Sequence, residues 1–97
     1  MTFPDSDLTD DKFLMGRLRL LQPAKGYRAA TDPVLLAAAC PAVQGQSVLD
    51  LGCGAGAASL CLAARVDGLA LAGLEVQPEY ADLARRNAQR NGQVIEV

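Results

Sequence analysis

The sequence contains no histidine, and this absence limits its chemistry. Without histidine the chain can build neither a histidine-ligated zinc site nor a Ser-His-Asp triad. No apolar run approaches the roughly 20 residues that a membrane-spanning helix needs. The first residues are acidic and lack the basic and apolar regions of a secretion signal. We therefore expect a cytoplasmic protein that makes no contact with a membrane.

Cysteine is scarce and unpaired in sequence. Cys40, Cys53 and Cys61 form no CxxC motif and stand among alanine and leucine. An odd number of cysteines in apolar surroundings is typical of small buried side chains in a reducing compartment. The 97 residues are enough for one small domain, and 51% are hydrophobic, which allows a packed core.

Charge is unevenly distributed, although the net charge is only −2. Four aspartates crowd the first eleven residues, whereas the segment from Lys12 to Arg28 has five bases and no acid. This basic segment is compatible with a phosphate backbone as partner, and equally with a solvated strand face.

The hydrophobic pattern divides the chain into three parts. We expect a disordered acidic tail over 1–12, a hairpin and a helix over 13–46, and an α/β unit over 47–97. The alternating "RLRLL" and the turn residues after it predict a hairpin over 17–30. A helix begins near Thr31 and Asp32, either of which can cap it, and ends before a proline.

From residue 47 onward, short apolar runs alternate with helical segments. The order is β-α-β-α-β, which predicts a parallel sheet with right-handed crossovers. The fold class is therefore α/β, with the first half of a Rossmann-like sheet preceded by the N-terminal hairpin and helix.

Glycines recur directly after the first strand of this unit, in the stretch "SVLDLGCGAG". Gly52, Gly54 and Gly56 follow Asp50 at the carboxyl end of the strand and lead into a helix. Parallel sheets bind ligands beyond the carboxyl ends of their strands, and a helix N-terminus carries partial positive charge. Glycines also let a ligand approach the backbone closely. The stretch predicts a small-molecule site.

The acid before the glycines indicates which ligand. A dinucleotide fingerprint reads GxGxxG, and an acidic side chain beside a pyrophosphate would be repelled. Asp50 would instead attract an ammonium or a sulfonium, which favours S-adenosyl-L-methionine over NAD. Glu75 ends the second strand, where a carboxylate can accept two hydrogen bonds from a ribose diol.

The segments "VLDLGCGAG" and "LEVQPEYADLARRNAQRNG" resemble the first two motifs of class I S-adenosylmethionine-dependent methyltransferases. The upstream "LQPAKGYRAATDPVLLAAA" is similar to a K-x-G-x-R…T-D-x-V-L-L segment of the bacterial tRNA(Val) adenine-N6 methylases. The resemblance covers 17–97. It implies N6-methylation of adenine, with tRNA as the partner.

The resemblance also implies roles for single residues. The three glycines would line the methionine part of the cofactor, with Asp50 near its amino group and Glu75 on the ribose hydroxyls. Val76 would pack on the adenine ring. Thr31 and Asp32 would close over the methionine end, although a plain helix cap explains them equally well. Arg28 would lie near the same site or the RNA, or be a surface charge. No residue is assigned a catalytic role, and no metal site is expected.

One motif of that family is absent from the chain. Its members carry Asn-Pro-Pro-aromatic after the fourth strand and a sheet ordered 3-2-1-4-5-7-6, of which this sequence matches the 3-2-1 half. We therefore expect the cofactor-binding part of the enzyme, weak in cofactor binding and inactive alone. Strand 47–51 would be an exposed edge that pairs with another strand, as in a homo-oligomer.

Three other interpretations remain open at this point. A methyltransferase of protein glutamine amides shares the glycine loop, and nothing in these residues separates it from the RNA enzyme. An NAD-binding oxidoreductase fragment is disfavoured by Asp50 and by the glycine spacing. A non-catalytic interaction domain that keeps the fold is the third.

Overall fold

The computed structural model describes residues 2–26 and 31–97, without the side chain of Thr31. An antiparallel hairpin and a helix precede an alternating β-α-β-α-β unit. The predicted fold class is confirmed. The strands are β1 (Leu8–Phe13), β2 (Leu18–Pro23), β3 (Ser47–Leu51), β4 (Ala70–Leu74) and β5 (Ile95–Glu96). The helices are α1 (Thr31–Ala39), α2 (Ala57–Arg65) and α3 (Pro78–Arg90).

The hairpin lies earlier in the chain than the sequence predicted. β1 pairs antiparallel with β2, so the strand expected to open a hairpin over 17–30 is the second strand of an earlier one, and 27–30 lie outside the described residues. Residues 8–12, expected in a loose tail, belong to β1. The polar composition that made the segment look unstructured does not prevent backbone pairing with β2, and Phe13 packs against the core. The charge of Asp10 in β1 is paired, since Asp10 lies 3.4 Å from Arg19 and 2.7 Å from Arg90.

β2 shows the alternation that its sequence predicted. Leu18, Leu20 and Gln22 are buried, whereas Arg19 between them is exposed. A strand of this pattern buries one face and hydrates the other. The buried leucines join the same core as α2 and the parallel sheet, so the hairpin packs on the α/β unit.

The parallel sheet has the order β3-β4-β5. Ser47 pairs with Ala70 and Leu71 with Ile95. Residues of one face, among them Leu71 and Ile95, join the core with Leu60 of α2. This face of the sheet therefore contributes to the hydrophobic core by packing against α2.

The opposite face of the sheet is uncovered in the described chain. Leu49, Leu51 and Leu74 are 60%, 71% and 58% exposed. β3 lies at the edge of the sheet, as the strand order predicted. Exposed apolar edges tend to pair with another strand, and the identity of that partner stays a prediction.

α3 buries one face against the hairpin and the glycine loop. Ala81, Leu83, Ala84 and Ala88 are buried on this face. α3 is also the longest described helix, with 13 residues. No helix within 2–26 and 31–97 combines the length and apolarity that a membrane crossing requires.

Candidate functional site

A cavity of about 450 Å³ opens at the carboxyl ends of β3 and β4. Its size lies within the usual range of small-molecule sites, and its position is the usual one for parallel sheets. Residues from β2, α1, the β3–α2 connection, the end of β4 and the start of α3 meet here. The lining residues are Gln22, Asp32, Pro33, Leu36, Asp50, Leu51, Gly52, Cys53, Gly54, Ala55, Ala57, Ala58, Glu75, Gln77 and Tyr80.

The loop between β3 and α2 presents bare backbone to this cavity. A Cβ added to Gly52 or Gly54 would meet no other protein atom within 4 Å, and both residues have positive φ, at +68° and +56°. The Gly52 amide donates a hydrogen bond of 2.7 Å to the Leu74 carbonyl, which ties the loop to the end of β4. The loop thus offers a ligand an open surface on a fixed support.

Gly56 has a different position from the other two glycines. Its added Cβ would lie 3.5 Å from the Ala84 Cβ and 3.7 Å from the Ile95 Cδ1, and Gly56 does not line the cavity. The sequence grouped all three glycines as cofactor contacts. The structure places Gly56 against the core instead, where the absence of a side chain lets the start of α2 approach α3.

Glu75 joins the tip of β4 to the glycine loop. Its Oε1 accepts a hydrogen bond of 2.9 Å from the Gly54 amide, and its Oε2 accepts one of 3.1 Å from the Gln77 amide. The carboxylate is half-buried and lines the cavity. The sequence predicted its place at the strand tip, and the structure adds that it also fixes the loop.

Asp50 is held from α2. Its Oδ2 accepts a hydrogen bond of 2.8 Å from the Ser59 hydroxyl, and Ser59 is buried. Sequence reasoning missed this serine. The available signal was a lone hydroxyl in the otherwise apolar interior of α2.

The carboxylates beside the glycine loop give this part of the cavity a negative electrostatic potential. Burial, together with the nearby charges of Asp50 and Glu75, raises the pKa of the Cys53 thiol to about 11. The thiol therefore stays protonated at neutral pH and is a poor nucleophile. The same two carboxylates make the cavity favourable for a cationic ligand.

The other residues predicted to contact the cofactor do not all line the cavity. Asp32 lines the cavity from the start of α1. The side chain of Thr31 and all of Arg28 lie outside the described residues. Val76 directly follows Glu75 but is 88% exposed and does not line the cavity.

Gln22 and Tyr80 are among the lining residues that the sequence did not predict. Gln22 is 2% exposed and donates a hydrogen bond of 2.8 Å from Nε2 to Asp11. It continues the buried alternation of β2, which was the available signal. Tyr80 lies in the first turns of α3, where its ring contacts that of Phe3 at a centroid distance of 5.1 Å.

The basic segment does not form one uniform basic surface. Arg17 donates a hydrogen bond of 2.9 Å to the Ala64 carbonyl, and Arg19 pairs with Asp10. Lys25 is exposed. Part of the positive charge expected to face a phosphate backbone is therefore used within the chain.

The fold and the cavity together define a Rossmann-like α/β protein with an acidic, glycine-lined cavity. The family model described as a methyltransferase domain matches 48–97. This match covers more than half of the chain, so the chain belongs to that methyltransferase family.

Relatives with named activities methylate RNA. The chain is 38% identical over 65 residues to the tRNA1(Val) (adenine(37)-N6)-methyltransferase of Yersinia enterocolitica, covering 66% of this chain and 26% of the relative. It is 32% identical over 88 residues to the enzyme of that name from Cronobacter sakazakii, covering 90% and 36%.

A third relative is the 23S rRNA (uracil(1939)-C(5))-methyltransferase RlmD of Shewanella denitrificans, which is 52% identical over 50 residues. That match covers 48% of this chain and 11% of the relative. The chain thus spans between 11% and 36% of the length of these three relatives.

Proposed function

We propose that this chain binds S-adenosyl-L-methionine and is the cofactor-binding part of an RNA methyltransferase. The observation that carries the proposal is the meeting of two carboxylates, Asp50 and Glu75, with the bare backbone of Gly52 and Gly54 in one cavity. A ligand that carries both positive charge and a ribose diol fits this combination of groups.

Each group has a proposed partner on the cofactor. Asp50, oriented by Ser59, faces the ammonium, and the backbone of Gly52 and Gly54 contacts the methionine portion. Glu75 accepts hydrogen bonds from the ribose hydroxyls with the oxygen lone pairs that the backbone amides leave available. Val76, exposed beside Glu75, packs on the adenine ring.

The start of α1 completes the proposed contacts. Asp32 lines the cavity there, and we assign it, together with Thr31, to the methionine end of the cofactor. Gly56 has no ligand contact in this assignment, because it packs on the core.

The bound cofactor would supply an activated methyl group on a sulfonium. The residues of this chain bind and orient it, and alignment of that kind is a large part of what a methyltransferase contributes. Asp50 and Glu75 act as charged anchors. The proposal assigns no catalytic residue to the chain.

The relatives favour RNA as the substrate. All three reported relatives are named as RNA methyltransferases, and two of them as enzymes acting on adenine N6 of a tRNA. This pattern favours RNA over a glutamine amide, and N6 of adenine in tRNA over other positions. Asp50 beside the glycine loop argues against NAD.

Calorimetric titration with S-adenosylhomocysteine tests cofactor binding. The wild-type chain is expected to bind, and Glu75→Gln is expected to bind about 10- to 100-fold more weakly, because hydrogen bonds to charged groups contribute about 1.5–3 kcal/mol. Glu96→Gln, which removes an exposed carboxylate outside the cavity, is the matched control. Equal affinity for wild type and Glu75→Gln would remove Glu75 from the site.

The RNA substrate is tested in cells with and without the gene. Nucleosides from purified tRNA and rRNA are separated and identified by mass spectrometry. Loss of N6-methyladenosine from tRNA is the expected result. Loss of 5-methyluridine from rRNA would instead favour the uracil C5 methylation for which the third relative is named. Unchanged methylation of both RNAs would contradict the proposal that RNA is the substrate.

A further inference from the structure

Asn87 is a buried polar residue in the apolar face of α3. It is 0% exposed, and its neighbours on that face are alanine and leucine. A buried amide is costly unless its donors and acceptor are paired. The hydrogen bonds of Asn87 therefore show which parts of the fold depend on it.

The Asn87 side chain pairs with β2 as a neighbouring strand would. Its Oδ1 accepts a hydrogen bond of 2.7 Å from the Leu21 amide, and its Nδ2 donates one of 3.0 Å to the Leu21 carbonyl. Asn91, one helical turn later, makes the same two bonds with Arg19, at 3.0 and 2.7 Å. A side-chain amide has the same donor and acceptor types as a peptide group, which makes this substitution possible.

The spacing of the two asparagines matches the strand. Four helical residues rise about 6 Å, and two strand residues advance about 6.6 Å. Alternate residues of β2 turn their backbone groups away from β1, so Leu21 and Arg19 need partners on the other edge. The pair Asn87 and Asn91 supplies these partners from α3.

The two asparagines differ in their third hydrogen bond. The Asn87 Nδ2 also donates to the Ala55 carbonyl at 2.9 Å, within the glycine loop. The Asn91 Nδ2 instead donates to the Asn87 carbonyl of its own helix, at 2.8 Å. Asn87 thus contacts both the hairpin and the glycine loop through one side-chain amide.

The loop is held on both sides at neighbouring residues. Glu75 accepts from the Gly54 amide on the cavity side, and Asn87 donates to the Ala55 carbonyl on the core side. We propose that Asn87 is a positioning residue that fixes the glycine loop and couples the geometry of this loop to the docked N-terminal hairpin. The proposal deepens the proposed function, since its consequence for affinity presumes that the loop binds S-adenosyl-L-methionine.

The coupling follows from the shared amide. If the hairpin leaves α3, the Asn87 amide loses Leu21, and a buried, partly unpaired amide is free to reorient away from Ala55. The loop that contacts the cofactor is then less well fixed. Cofactor affinity therefore depends on whether the N-terminal hairpin stays docked on α3, although the hairpin lies before the parallel sheet and the glycine loop in the sequence.

Asn91 provides a matched control for the test. Asn87→Ala and Asn91→Ala each remove the same two bonds to β2, but only Asn87→Ala also removes the bond to the loop. Thermal unfolding of both variants is recorded first. Affinity for S-adenosylhomocysteine is then measured at a temperature at which both are folded.

The expected result is a loss of affinity of about tenfold for Asn87→Ala, the size of one hydrogen bond, and less than about twofold for Asn91→Ala. Without ligand, amide NMR shifts over 53–57 move in Asn87→Ala and stay in place in Asn91→Ala. Equal affinity losses, or unchanged loop shifts in Asn87→Ala, would overturn the proposal.

Asn87→Asp provides a second test, which decides the matter if the alanine variant fails to fold. Its ionised side chain can accept from Leu21 but cannot donate to Ala55, whereas the protonated acid can donate again. Burial favours the protonated form, so affinity relative to wild type should rise as pH falls from 8 to 5.5. A pH-independent ratio would contradict the proposal.

The two proposals fail in different ways. If wild type does not bind S-adenosylhomocysteine, the proposed function is contradicted, and the ligand-free loop shifts still decide the role of Asn87. If wild type binds and the two alanine variants bind alike, only the positioning role is contradicted.

Discussion

Glycines with left-handed backbone stand at both ends of the β3–β4 pair, and the two ends differ in what surrounds them. At the amino end, a Cβ on Gly68 would lie 2.8 Å from the Gln44 Cγ, and the Gly68 carbonyl accepts from the Gly45 amide at 3.0 Å. At the carboxyl end, a Cβ on Gly54 would meet no protein atom within 4 Å. Gly45 at the amino end is open as well, with no atom within 4 Å of an added Cβ, whereas the cavity lies at the carboxyl end.

The comparison shows that glycine alone does not mark a site. Both ends need the unusual backbone, but the carboxyl end also gathers Asp50 and Glu75. At the amino end the backbone groups are used within the turn, as when the Ala70 amide donates to the Gln46 carbonyl at 3.0 Å. Converging carboxylates in a cavity, and not open glycine backbone alone, distinguish the candidate ligand site from a tight connection.

The largest effect is expected from adding one methyl group at each end. Gly54→Ala combines a strained positive φ with a Cβ in the cavity, so affinity for S-adenosylhomocysteine should fall about tenfold or more. Gly68→Ala should lower the free energy of unfolding by about 1–2 kcal/mol and leave affinity unchanged. Titration and thermal unfolding of both variants check this. Similar affinity losses at the two ends would contradict the distinction.

A chemical difference is expected between two cysteines. Cys53 in the glycine loop, with its pKa raised to about 11 from 9.0, should hold about a hundredfold less thiolate at neutral pH than an ordinary cysteine. Cys40 is half-buried and does not line the cavity. Alkylation with iodoacetamide, followed by peptide mass spectrometry, should modify Cys40 first. Faster reaction at Cys53 would show that the loop is open or less acidic than the structure indicates.

The smallest effect is expected at the hairpin, on the side of α3 away from the cavity. The hydrogen bond from Arg90, followed by that from Arg19, lowers the pKa of Asp10. A lowered pKa stabilises the fold above the pKa of the unfolded chain, and this contribution disappears as pH falls through the folded value.

Asp10→Asn should therefore be slightly less stable than wild type at pH 7 and equally stable in acid below the folded pKa of Asp10. The effect is small because the ion pairs are solvent-exposed. Chemical denaturation at both pH values measures it. A stability difference that persists unchanged in acid would contradict the assigned pairing.

The unit over 47–97 was predictable because its information is local. Short apolar runs, a proline at the first position of α3 (Pro78) and a glycine after α3 indicate the elements one by one. The position of Glu75 at a strand tip followed from the same reasoning. Site residues that depend on one strand and its following loop are accessible from sequence.

Other features depend on contacts between distant segments. β1 is acidic, and its backbone pairs with β2 while Asp10 meets Arg90, 80 positions away, which no local pattern reveals. Gly56 has the same spacing as its two neighbours, yet it faces Ala84 rather than the cavity. The role of Asn87 requires three elements to meet. Tertiary contacts decided each of these points.

Amide NMR titration of the chain with S-adenosylhomocysteine tests the central claim most directly. The account predicts saturable shifts at Gly52, Gly54 and Glu75 at the carboxyl end, with the amides of Gly45 and Gly68 unmoved. Saturable shifts centred on the amino-end turn, or none at either end, would contradict the assignment of the cavity to the cofactor.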